Sequence, residues 1–218
     1  MTVMKTLSKP ALALAICLSA LAGYVDVLGF IQLGGYFVSF MSGNSTRLAA
    51  SFAEAGNYDA LFILAIILVF VFGSMAGALI SHFSTRFRRT IILCIVGALL
   101  SGASILSVFG LMHAAVILMV LAMSSENALF QRDGNVRVGL TYMTGTLVRV
   151  GQKIASSLLG IEHYGWVQPL LLWCGFISGG FLGAFMFSSV GLAGVGLAAA
   201  ACFLMALTVY GRERRLKV

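Results

Sequence analysis

Stretches of about twenty apolar residues recur along this chain, and a stretch of that length crosses the hydrocarbon core of a bilayer as a helix. Six runs meet the condition, at roughly 11–31, 60–82, 90–110, 112–131, 166–188 and 190–210. Of the 218 residues 60% are hydrophobic and only 10% charged, with a mean hydropathy of +1.03, whereas soluble domains carry about a quarter of their residues charged. The expected fold is therefore an all-α membrane protein of about six transmembrane helices, forming a single membrane domain with the lipid bilayer as its solvent. A net charge of +7 would suit nucleic acid. The Lys and Arg residues, however, fall in short clusters between the apolar runs, where they mark the cytoplasmic side of a membrane, and no nucleic-acid partner is expected.

The N-terminus imitates a secretory signal, with Lys5 and Lys9, an apolar stretch from Ala11, and Ala20-Leu21-Ala22 placed like a cleavage site. Apolarity continues to Ile31, which is long enough to span, so a retained helix is expected. Cys17, Cys94, Cys174 and Cys202 all lie inside apolar runs with no paired spacing and no neighbouring His. They are expected to be buried small hydrophobes, with no metal site and no cofactor.

Two further segments, near 36–55 and 138–160, are more polar and interrupted by glycine. Laying the chain on itself at an offset of 102 residues aligns Ser39-Phe40-Met41-Ser42-Gly43 with Thr141-Tyr142-Met143-Thr144-Gly145, and Arg47 with Arg149. The same offset pairs Gly73 and Gly77 with Gly175 and Gly179. Independent matches at one offset predict an internal duplication, with repeat 1 at about 11–110, repeat 2 at about 112–211 and a basic tail at 212–218.

Charge placement predicts how the repeats are inserted. If each polar segment is a full crossing, Arg86, Arg88 and Arg89 lie opposite Lys5 and Lys9, against the positive-inside tendency. If each is instead discontinuous or re-entrant, those residues, Arg132, Arg137 and the tail Arg212, Arg214, Arg215 and Lys217 are all cytoplasmic, with both termini. Glu54 and Asp59 then lie outside. Each half holds three crossings, so the second half is inverted relative to the first, an arrangement recurrent in transporters.

Irregular backbone at membrane depth must line a protein interior or a water-filled cavity, which makes Met41-Ser42-Gly43-Asn44-Ser45-Thr46 a candidate site. Gly43 is expected to turn the chain and Asn44 or Ser45 to cap a short helix, with Gly145 and Thr146 doing the same in the second half. Each half then aims a helix N-terminus at the centre, where free N–H groups and the dipole favour an anion. Arg47 and Arg149 lie one turn further in and call for negative charge. The intramembrane acids Asp26 and Glu126, or a bound anionic solute, are the candidates. The expected solute-binding set is Ser42, Gly43, Asn44, Ser45, Arg47, Tyr142, Thr144, Gly145, Thr146 and Arg149, with Asp26 and Glu126 taking up a coupling proton or forming ion pairs.

The glycine faces around Gly73 and Gly77, and at Gly175, Gly179 and Gly183, predict close helix packing, and one of them is a candidate homodimer face. His82, His113 and His163 sit at span ends and are expected at the interface. Trp166 and Trp173 suit the same belt. No nucleophile–base constellation, metal spacing or phosphate loop recommends an enzyme.

The stretch Ala22-Gly23-Tyr24-Val25-Asp26-Val27-Leu28-Gly29-Phe30, followed by Phe37-Val38-Ser39-Phe40-Met41-Ser42-Gly43-Asn44-Ser45-Thr46-Arg47, closely resembles the YoaK-like family of bacterial membrane proteins, a domain family of unknown function. Thr141-Tyr142-Met143-Thr144-Gly145-Thr146-Leu147 and Asn127-Ala128 carry the resemblance into the second half, so it covers essentially the whole chain. The resemblance implies a bacterial inner-membrane location and a transport role without a defined substrate. This chain departs from the family pattern at Glu126, where an amide is more usual, and at Ser124, in place of a glycine, which favours Asp26 as the primary acid. The expected function is a secondary transporter or facilitator that binds a small anionic solute between the two half-helix N-termini and rocks one half against the other. A passive channel, a cation carrier on Asp26 and Glu126, and a non-transporting scaffold are the alternatives.

Overall fold

The computed structural model describes residues 8–52, 57–84, 87–132, 135–136, 142–161 and 164–215, and the backbone alone at 57–59, 131–132 and 135–136. Eight α-helices are present among them: α1 Lys9–Gln32, α2 Met41–Ser51, α3 Asn57–Phe83, α4 Arg88–Val108, α5 Met112–Glu126, α6 Met143–Leu158, α7 Val167–Val190 and α8 Val195–Arg215. A 3-10 turn at Asn127–Phe130 continues α5 and another at Gly191–Gly194 joins α7 to α8. Gln131–Arg132 (β1) pairs antiparallel with Asn135–Val136 (β2). Lys5, Glu54, Arg86, Arg137, Thr141, His163 and Lys217, and the side chains of Asp59 and Arg132, lie outside the described residues.

Five helical stretches are long and apolar enough to cross a membrane, rather than the six expected, because the last, Val167–Arg215, runs 49 residues through α7 and α8. A continuous helix of that length would extend about 73 Å, more than twice the ~30 Å hydrocarbon core. The chain reverses instead. Leu182 and Leu204, 22 residues apart and so ~33 Å apart on one straight helix, line the same groove with Cys17, Ala20 and Tyr24 of α1. Gly191, at φ 62°, makes the turn in a conformation that side chains disfavour. The groove has a volume of about 390 Å³ and its lining is apolar.

Contacts fix the helix directions. Along α1 and α7, Ile16 meets Gly175, Ala20 meets Gly179 and Tyr24 meets Gly183, so the two run parallel with their backbones nearly touching. Along α3 and α5, Phe62 stacks edge-on with His113 at 5.6 Å, Gly73 faces Ser124 and Gly77 faces Ser125 and Ala128, another parallel pair. Helices α4 and α8 run antiparallel, tied by Thr90 donating to Glu213 at 2.7 Å near one end and Ser104 to the Ala193 carbonyl at 3.0 Å near the other. Ser19 donates to the Leu172 carbonyl and Tyr24 to the Gly194 carbonyl, both at 2.8 Å, locking α1 to the second half.

Two expectations are corrected by this packing. The glycine faces are consumed inside the chain: a methyl group at Gly179 would overlap the Ala20 carbonyl, and one at Gly73 the Ser124 hydroxyl, so neither face is open to a homodimer. Of the cysteines only Cys202 is buried, while Cys17, Cys94 and Cys174 are exposed. Facing acyl chains costs a thiol no more than burial does, since it behaves as a small hydrophobe. Met112–Phe130 is the most buried span and Ala60–Phe83 the least, which places α5 at the centre and α3 against lipid.

Candidate functional site

Helix α1 ends where Gly34 (φ 65°) and Gly35 (φ 115°) turn the chain back. The returning segment lies against α1, with Val38 fully buried at the Cα of Gly29, a contact that any larger residue at 29 would block. Asp26 holds it there: one oxygen, Oδ1, accepts the backbone N–H groups of Val38 at 3.0 Å and Ser39 at 2.8 Å. Asp26 stands six residues before the end of α1, about 9 Å down the helix. Non-helical backbone thus lies back along α1, with the N–H groups of Phe37, Val38 and Ser39 satisfied by protein side chains, as an apolar solvent requires.

Asn44 is the second clasp. It is fully enclosed, accepts the Phe37 N–H at 2.9 Å and returns a bond from Nδ2 to the Phe37 carbonyl at 2.7 Å. Phe37 is itself wedged between Phe30 and Phe40, with ring centroids 4.8 and 5.1 Å away. Among the described residues, two polar side chains from α1 and α2 therefore anchor one loop.

This geometry revises several expected roles. Helix α2 starts at Met41 and α6 at Met143, with Phe40 and Tyr142 as N-caps that make no side-chain bond. Asn44, Ser45, Gly145 and Thr146 are consequently inside helices rather than caps. Gly43 does not turn the chain; it is small because the Phe37 and Phe40 rings pack on it. The turning residues are Gly34 and Gly35. Ser45 donates to the Met41 carbonyl at 2.8 Å, Thr46 to Ser42 at 3.1 Å and Thr146 to Tyr142 at 3.2 Å, each a bond within its own helix. Asn44 is committed to Phe37. Ser42 and Thr144 remain exposed.

The acceptor beside the loop that leads into α2 is the chain's own Asp26. Arg47 does not pair with it. Its guanidinium lies against Gly35 and 5.5 Å from the Tyr36 ring centroid, an arrangement of cation over π face. Tyr36 continues edge-on to Phe62 at 6.2 Å and Phe62 to His113, so an aromatic ladder ties the loop to α3 and α5.

In the second half Tyr142 is 61% exposed, Arg149 is exposed, and Gly145 has open space where its side chain would be. Helix α6 packs on α7 while α2 packs on α3, so among the described residues the two polar helices have different main packing partners. Glu126, the last residue of α5, is completely buried, and neither of its oxygens has a hydrogen-bond partner among the described residues. The loop anchor was missed in the sequence, although Gly34-Gly35 is a readable turn signal.

Comparison with known proteins matches residues 14–209 to the family described as Protein of unknown function (DUF1275). The "UPF0700 transmembrane protein RA0705" of Rhizobium meliloti (strain 1021) is 30% identical over 208 residues, covering 95% of this chain and 90% of that protein. The "UPF0700 transmembrane protein YoaK" of Bacillus subtilis (strain 168) is 26% identical over 153 residues, 66% of each. No solved structure matches.

Proposed function

Because this chain belongs to the DUF1275 family of transmembrane proteins, we propose from its geometry that it is a secondary transporter or facilitator of a small anionic solute and not an enzyme. It is built from two inverted repeats in a bacterial inner membrane with both termini cytoplasmic. The pairing of helices supports the repeat. If α1 corresponds to α5 and α3 to α7, the parallel pairs α1–α7 and α5–α3 exchange places under an in-plane two-fold axis. The bonds between α4 and α8 put Arg88 and Arg89 beside Arg212, Arg214 and Arg215 at one end of the bundle, and basic residues favour the cytoplasm.

The observation that carries the solute class is Arg47, an exposed guanidinium beside a polar loop that lies back along α1, with no acidic partner among the described residues. A guanidinium matches a carboxylate, phosphate or sulfate through paired N–H donors. Since Asp26 already occupies the loop N–H groups, the solute belongs on Arg47 beside Tyr36 rather than on the helix terminus, with Arg149 as its counterpart in the second repeat. Thermal unfolding of purified protein against small carboxylates, phosphate and sulfate tests this. At least one should raise Tm, since a ligand of the folded state stabilises it, and Arg47→Ala should weaken its binding about tenfold or more. Absence of any solute-dependent shift, with no solute flux in proteoliposomes, sinks the proposal.

A further inference from the structure

Two buried side chains lack a hydrogen-bond partner among the described residues, the Ser39 hydroxyl and Glu126, and of these only Glu126 can carry charge. It sits in the most buried span, its exposure is 0%, and both carboxyl oxygens lack a partner among the described residues. The polar side chains beside it are turned elsewhere: Ser124 donates to the Leu121 carbonyl, Ser125 to that of Gly73 and Asn127 to that of Met123. Helix α8 carries the buried Cys202 thiol. The other titratable groups of the surrounding helices are engaged or remote. Arg89 of α4 stacks over Phe130 at 5.9 Å, Asp26 of α1 holds Val38 and Ser39, Tyr24 bonds Gly194, and His82 is exposed at the end of α3.

An ionised carboxylate without donors or a counter-charge in this setting costs several kcal/mol. A metal cation would ease that cost only by collecting several further ligands, six to eight oxygens at about 2.3–2.6 Å if calcium-like, and no group of three or more His, Cys, Asp or Glu side chains gathers among the described residues. A proton needs no further ligand. We propose that Glu126 is an intramembrane proton-binding site, occupied in this conformation, which gives its proton to water when a conformational change opens the bundle beside it. The carboxyl O–H bond breaks, the oxygen keeps the electron pair, and water becomes hydronium. Only the release step rests on the transporter reading.

Infrared difference spectroscopy of purified protein at neutral pH, wild type minus Glu126→Gln, tests occupancy directly. The expected result is a protonated-carboxyl C=O band; ionised carboxylate bands in its place overturn the proposal. Glu126→Leu, which removes the acid without leaving a donor, should unfold at an equal or higher Tm, and a large fall would also overturn it by revealing a partnered anion. In proteoliposomes carrying a pH-sensitive dye, a proton flux driven by a potassium diffusion potential and stimulated by a carboxylate or phosphate solute should be lost in Glu126→Gln. A wild-type protein with the infrared band but no flux defeats the transporter reading while leaving the proton site intact.

Discussion

Asn44 and Thr146 occupy matching places 102 residues apart, yet Asn44 reaches seven residues back to clasp both backbone groups of Phe37, whereas Thr146 donates to the Tyr142 carbonyl one turn below it. The same contrast separates Gly43, pressed by two phenylalanine rings, from Gly145, which has open space around it. It also separates Asp26, which holds two N–H groups, from Glu126, which among the described residues holds none. Matching places in the two halves thus do different work. The first half spends its polar residues on fixing a loop, whereas the second leaves its buried acid without a hydrogen-bond partner among the described residues.

The largest expected effect tests the acids. Asp26→Leu strands two buried N–H donors at about 1–3 kcal/mol each, so detergent-phase unfolding should show a loss of about 2–6 kcal/mol, while Glu126→Leu should show none. Equal losses would erase the distinction. Next comes Asn44→Ala, which orphans both backbone groups of Phe37 and should cost about 2–4 kcal/mol. Thr146→Val, which removes one local bond, should cost under about 1 kcal/mol. The glycine pair is smaller and opposite in sign. Gly43→Ala forces the Phe37 and Phe40 rings aside, a strain of about 1–3 kcal/mol, whereas Gly145→Ala should gain about 0.5–1 kcal/mol of helix stability. Arg47→Ala should leave stability within about 0.5 kcal/mol, because its side chain is exposed, and alter anion binding alone.

How much of this was legible depends on range. The spans could be read because an apolar run is a local property: α1, α3, α4 and α5 fall within a few residues of the runs at 11–31, 60–82, 90–110 and 112–131. The runs at 166–188 and 190–210 likewise match α7 and α8, and the 3-10 turn of Gly, Leu, Ala and Gly between them is as apolar as the helices it joins, so the two read as one unbroken apolar stretch. The polar segment near residue 44 stands out in the sequence, but the partners of its side chains do not. Ser, Asn and Thr after a glycine look like caps and donors, and only the fold shows that Asn44 points back to Phe37 and that Asp26 accepts the loop N–H groups. Arg47 is expected from sequence to face an acid or an anionic solute, and Tyr36, the ring it covers, carries no charge to draw notice.

The glycine contacts between α1 and α7 also set which bodies are able to move. Where Gly23 and Gly179 bring backbone against backbone at Phe176 and Ala20, there are no side chains to slide or re-pack, so the two helices behave as one strut. That strut joins the first helix of one sequence half to a helix of the other, and α3 with α5 forms its counterpart. A movement of the N-terminal half against the C-terminal half would therefore have to part backbone packed directly on backbone.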